Sequence, residues 1–206
     1  MWGELMGLLD PEARRRLEEA LMPRKLKASE VLFWEGERGE AMYVIDAGHI
    51  LVERVTEQGD TVAVAVLGPD SIVGEQALLR DDPRGATARA LTATTLRSLG
   101  RGAFDDLRRS QSVFDGLLVN LLDTRIRELN DLVLEARHRP AEERVRRRLI
   151  ELAGLFGNEI PVTQATLAAL AGTTRPTTNT VLQSLQDQGA LTLKRGRIVV
   201  ADQSRL

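Results

Sequence analysis

The chain has no cysteine among its 206 residues. That excludes disulfides, iron–sulfur clusters, thiolate zinc sites and cysteine nucleophiles together. Histidine is nearly as scarce. His49 and His138 stand far apart with no accompanying carboxylate pattern, so they read as surface or junction residues rather than ligands of a metal or a haem. With no paired histidines and no Ser-His-Asp order, no catalytic constellation is expected and the chain does not read as an enzyme. Aromatics make up 3% of the residues, so the core must be aliphatic. No apolar run reaches the roughly 18 residues that a membrane-crossing helix needs. The opening residues, MWGELMGLLDPEARRR, lack a basic start followed by an apolar stretch, so no secretory leader is expected and the expected location is cytoplasmic.

What is present is an ordinary globular composition, 43% apolar and 28% charged, on a length that suits one large domain or two small ones. The net charge of −2 is unevenly spread: residues 139–206 hold 10 Lys+Arg against 6 Asp+Glu, whereas residues 1–138 hold 18 against 24. A basic C-terminal part on an acidic body hints at an anionic partner for that part.

DPEARRRLEEALMPR begins as a helix, with Asp10 as N-cap and Pro11 in the first turn. From Leu26 the pattern turns strand-like: EVLFWEG, AMYVIDAGHILVERV, TVAVAVLG and TARALTATTLRSL are β-branched or alternating and are punctuated by glycine-containing turns. Such a series predicts a barrel, sandwich or roll. After Phe104 the period changes again. Val119, Leu122, Ile126, Leu129, Val133 and Ala136 recur at spacings of 3, 4, 3, 4 and 3, which predicts a helix over about 111–137 with a seam for a second copy of the chain. A break at about Arg137 to Arg139 precedes a new helix, with Pro140 in its first turn and Glu142 and Glu143 at the positive end of its dipole.

VTQATLAALAGTTRPTTNTVLQSLQDQGALTLKRGRIVV is the most informative segment. Thr163 can cap a short helix that buries Leu167 and Leu170, and Gly172 can end it in the left-handed conformation. Thr174 can cap a second, longer helix with Pro176 in its first turn and Val181, Leu182 and Leu185 inward. This is helix-turn-helix spacing, and a small basic hairpin, or wing, follows around Arg195 and Gly196. The second helix can lie in a major groove, with Arg175 offering its fork to guanine O6 and N7 and with Thr177, Asn179 and Thr180 projecting from the same half. Thr163, Lys194, Arg195 and Arg197 would meet phosphates and set register. A helical hairpin that serves only packing is the alternative.

GEQALLRDDPRGATA, residues 74–88, holds one carboxylate and one guanidinium amid little side-chain bulk. Gly74 permits close backbone approach, and the N–H groups of Glu75, Gln76 and Ala77 at the start of a short helix can point at an anion. Glu75 can accept from a sugar hydroxyl, Arg84 can pair with a phosphate oxygen, and Gly85 and Ala86 leave room beside it. Ribose hydroxyl plus phosphate describes a nucleotide, although a plain surface loop can also carry Glu and Arg at this interval.

Gly-Glu, a short apolar helix and then Pro-Arg-x-Ala-Thr resembles the phosphate-binding cassette of cyclic-nucleotide-binding domains. From about Leu26 to Val200 the chain resembles the CRP/FNR (catabolite-activator) family of bacterial transcription regulators. The resemblance implies an α+β protein: a cyclic-nucleotide-binding β-roll (jelly-roll-like) over 1–110, a long dimerisation helix and hinge over 111–138, and a winged helix-turn-helix over 139–206. It implies cyclic AMP as effector, with Glu75 on the ribose 2′-hydroxyl, Arg84 on the phosphate and Asn130 within reach of the base. Gly85 stands where cyclic-AMP-binding members often have Ser or Thr, and Leu129 stands where a base-contacting hydroxyl is found. Arg175 matches the guanine reader, whereas Pro176 replaces a glutamate that accepts from cytosine and Thr180 replaces a second basic reader. The implied partners are a second copy of the chain, a palindromic operator in double-stranded DNA related to TGTGA, and RNA polymerase. No metal, haem or iron–sulfur cluster is implied. Some members need no effector, in which case the roll is a structural core.

Overall fold

The computed structural model describes residues 2–59 and 61–206. The chain divides into two compact units, Met1–Arg54 with Ala65–Glu128, and Val55–Val64 with Leu129–Leu206.

Helix α1 (Trp2–Leu8) leads to α2 (Pro11–Ala20), where the Asp10 side chain accepts from the Ala13 N–H at 2.8 Å. The helix stops at Ala20, and Leu21–Leu26 forms strand β1. A ladder with a distant strand, running from Leu21 opposite Leu99 to Leu26 opposite Thr94, holds this segment extended. Pro23, which has no N–H to give to a helix, sits in this edge strand.

Strands β2 (Val31–Phe33), β3 (Ala41–Ala47), β4 (Ile50–Val55), β5 (Thr61–Leu67) and β6 (Ile72–Val73) follow. Then come helix α3 (Glu75–Arg80) and strands β7 (Thr87–Ala90) and β8 (Thr94–Gly100). They build two four-stranded antiparallel sheets in the orders β1-β8-β3-β6 and β2-β7-β4-β5. Tyr43 and Ile45 of β3 join Phe33, Ile50, Leu67, Ala88 and Leu96 in the roll's interior. Met42 and Val44, on the opposite face of β3, pack with Trp2, Leu17, Phe104 and Phe114 from the helices. A strand covered on both faces needs a continuous apolar run rather than an alternating one, which accounts for Met-Tyr-Val-Ile.

Helix α4 (Arg101–Ser110) had no counterpart in the sequence reading. Helix α5 (Ser112–His138) is the long helix, 27 residues in all. Its core-facing residues are Phe114, Leu117, Leu118 and Leu121, all N-terminal to or offset from the apolar seam read in the sequence.

In the second unit, α6 (Ala141–Phe156) follows a break at Arg139 and Pro140. After β9 (Glu159–Ile160) come α7 (Gln164–Leu170), α8 (Arg175–Asp187), β10 (Leu191–Lys194) and β11 (Arg197–Val200). The three strands form a sheet in the order β10-β11-β9, so the wing has a third strand that the sequence reading lacked. Val145, Leu149, Leu167, Leu182, Leu185 and Ile198 are among the buried residues of this unit.

Candidate nucleotide and DNA sites

The cassette begins at Gly74, which caps α3 with φ +85°. A Cβ there would lie 2.5 Å from Nη1 of Arg84, so this position needs glycine for both its backbone angle and the space beside it. Glu75 opens α3 and is only 4% exposed. Burial pushes its carboxyl above the ordinary value, while its own backbone N–H and the charges of Arg125 and Arg84 pull the other way. Gln76 faces solvent, whereas Ala77 is buried and packs where Gly39 has no side chain. The methyl of Ala77 is thus a packing element, and only its backbone is available to a guest.

Arg84, expected to pair with a phosphate oxygen, is buried in the roll with its guanidinium hydrogen-bonded to backbone carbonyls. It is 4% exposed, Nη1 donates to the Gly74 carbonyl and Nη2 to the Ala41 carbonyl, each at 2.6 Å, and the guanidinium lies 4.1 Å from the centre of the Phe33 ring. Two carbonyl dipoles and an aromatic face give the cation partners inside an apolar roll. Its Nε is buried without a partner. Burial lowers the guanidinium from its ordinary value, opposed by Tyr43, Glu37 and Glu75, and it remains charged. Gly85 is exposed with open space where a Cβ would stand, and Ala86 is half-buried.

Asn130 lies on an exposed stretch of α5. In the seam, Val119, Ile126, Leu129 and Val133 are between 53% and 64% exposed, Ala136 is exposed and Leu122 is half-buried. The exposed members of the seam therefore lie outside the chain's own core. His49, in the turn between β3 and β4, is half-buried, and burial lowers its imidazole from the ordinary value. No group of three or more His, Asp or Glu side chains placed to hold a metal occurs among the described residues.

The helix-turn-helix forms by the caps that the sequence predicts. Thr163 accepts from the Thr166 N–H at 3.0 Å and Thr174 from the Thr177 N–H at 3.4 Å, while Gly172 takes φ +58° in the turn between them. Both threonine hydroxyls are thus engaged in capping. A groove of about 410 Å³ brings together Thr163, Arg175, Lys194, Arg195 and Arg197, drawn from α7, α8 and the wing. Arg197 is already paired with Glu159 at 3.1 Å, whereas Arg175, Lys194 and Arg195 make no ion pair among the described residues. Pro176 and Thr180 are exposed on α8, Thr177 is half-buried, and Asn179 is half-buried with its Oδ1 turned inside.

Residues 23–111 match the family model described as a cyclic nucleotide-binding domain, and residues 143–206 the one described as a Crp-like helix-turn-helix domain. The cyclic AMP receptor protein of Thermus thermophilus is 34% identical over 178 residues, covering 85% of this chain and 82% of its own. The chain belongs to the CRP/FNR family of transcription regulators. The crystal structure of the Thermus thermophilus catabolite activator protein is also similar, with 29% identity, 97% and 94% coverage and a TM-score of 0.57. A CRP/FNR-family regulator from Eubacterium rectale shares the fold at a TM-score of 0.82, with 18% identity and 98% and 94% coverage.

As a CRP/FNR regulator the chain is a DNA-binding protein and not an enzyme. Two features of this regulator escaped the sequence reading. Arg125 on α5 donates to the Ile72 carbonyl at 3.4 Å and acts electrostatically on Glu75. Its signal was present, because Leu118, Leu121 and Arg125 share one helix face and a cation continuing a buried stripe calls for an acidic partner. The other is the basic run on α6. Arg144 donates to the carbonyls of Ala171 and Gly172 at 3.0 and 2.8 Å, and Glu135 pairs with Arg147 at 2.7 Å and Arg148 at 3.3 Å. Much of the C-terminal basic excess is therefore committed to internal partners rather than offered to an anion.

Proposed function

We propose that this regulator works as a homodimer controlled by cyclic AMP, with residues 1–110 as the effector roll, 111–138 as the dimerisation helix and hinge, and 139–206 as the DNA-binding unit. One observation carries the reading. Glu75 and Arg84 open and close one cassette, and both are buried in the roll, where a charge is costly unless it meets a partner. Ribose hydroxyls donating to Glu75 satisfy a carboxylate that burial disfavours, and a phosphate oxygen on Arg84 adds an anion to a cation whose hydrogen bonds go to two carbonyls. Binding then biases the break at Arg139 and Pro140 so that two recognition helices address a palindromic operator in successive major grooves, about 34 Å apart. Working in the cytoplasm, the dimer on its operator meets RNA polymerase.

A second reading, a regulator of the same architecture that needs no effector, is favoured by the two carbonyl hydrogen bonds that already hold Arg84. Titration calorimetry with cyclic AMP and cyclic GMP, on the wild type and on Arg84→Ala, separates the two. Heat with cyclic AMP that vanishes in the variant supports effector control. No heat with either nucleotide, together with unchanged operator binding, supports the second reading.

A further inference from the structure

The outward surface of α8 near its start is nearly stripped of free hydrogen-bonding groups. Thr180 Oγ1 donates to the Pro176 carbonyl at 3.1 Å, and Thr177 Oγ1 lies 2.9 Å from Thr174 Oγ1 within the cap. Pro176 has no polar side-chain atom and no N–H. The Asn179 Oδ1 is turned inside. Arg175, Pro176 and Thr180 are exposed there, beside the amide NH2 of half-buried Asn179. Residues 176 and 180 stand one turn apart on the same helix face, so ring and methyl adjoin. Beyond them the same face carries Gln183, Ser184 and finally Asp187, whose charge phosphates repel, so the N-terminal half is the part suited to a groove.

In the major groove an apolar patch finds its complement in the thymine 5-methyl group, which cytosine lacks at the same position. Resting on the reading of α8 as the recognition helix, we propose that Thr180 with Pro176 is a thymine-methyl reader, placed beside the base pair that Arg175 reads and selecting thymine over cytosine there.

The test starts with selection of DNA bound by the full-length protein from a random pool, with and without cyclic AMP. Each thymine of the preferred half-site is then replaced singly by deoxyuridine, which keeps the hydrogen-bonding edge and removes only the methyl. One replacement should weaken binding about fourfold, the worth of one buried methyl group. Thr180→Val, which keeps the methyl and drops the hydroxyl, should retain both affinity and the deoxyuridine penalty. Thr180→Ser, which keeps the hydroxyl, should bind about fourfold more weakly and lose the penalty. A preferred site indifferent to every deoxyuridine, a penalty that persists in Thr180→Ser, or a Thr180→Val protein that loses selectivity overturns the proposal while leaving α8 as a DNA reader. A pool with no preferred sequence overturns the recognition-helix reading and this proposal with it.

Discussion

Nη1 of Arg84 donates to the carbonyl oxygen of Gly74 across 2.6 Å, tying the end of the cassette back to its first residue. The bond works only because Gly74 has no Cβ, which would stand 2.5 Å from the same nitrogen. The loop between them carries Glu75 into the roll, so one contact places both charged groups of the candidate nucleotide site.

The Glu75 carboxyl is raised above its ordinary value by burial, with its backbone N–H, Arg125 and Arg84 opposing. A raised acid holds its proton more tightly in the folded state. Its contribution to stability is therefore complete below the ordinary value of 4.5 and is lost as pH rises through the folded value. Ionisation of the buried side chain opposes folding. Glu75→Gln should raise the thermal midpoint of the nucleotide-free protein at pH 7 and flatten its rise toward acid. It should also weaken cyclic AMP binding about tenfold or more, as loss of a charged acceptor requires. Melting curves from pH 4 to 8 and calorimetry check both; a lowered midpoint at pH 7 contradicts the assignment.

Ile126 and Val133 are more than half exposed, so charge there is tolerated by the single chain. Ile126→Lys combined with Val133→Lys should leave helix content and roll stability unchanged and convert a dimer to monomers. Two lost apolar contacts, about 3 kcal/mol together, weaken association by more than about a hundredfold. Sedimentation equilibrium reads the outcome; a double variant that stays dimeric places the interface elsewhere.

Arg175 is exposed at the first position of α8, beside a cap that does not depend on it. Arg175→Ala should therefore keep the fold while costing about 1–3 kcal/mol on the preferred site and relaxing choice at one base pair. Binding titrations at fixed salt on matched and mismatched duplexes measure this. Unchanged discrimination at every position would remove the residue from base reading.

Much of the architecture was legible because its signals are local. Asp10, Thr163 and Thr174 cap helices through bonds to residues three places on, and Gly172 supplies the left-handed turn. The strand-rich segment, α3 after Gly74, the long helix and the basic hairpin were all visible as changes of period or as turn residues. The features that were missed depend on partners far along the chain. β1 is a strand because of β8, more than 60 residues away, and β9 because of β11.

By itself the sequence determined which segments could cap, turn and alternate, and it placed a carboxylate and an arginine at the two ends of one cassette. Those are properties of residues within a few positions of one another, where backbone geometry sets the distance. Tertiary structure alone decided that Arg84 points into the roll toward Gly74 and Ala41, that Arg125 serves Glu75, that the α6 arginines are engaged, and that α5 buries Leu117 and Leu121 while exposing Ile126 and Val133. Each of those outcomes is a competition between water and a distant neighbour for the same group, and only the closed fold brings the neighbour near enough to win.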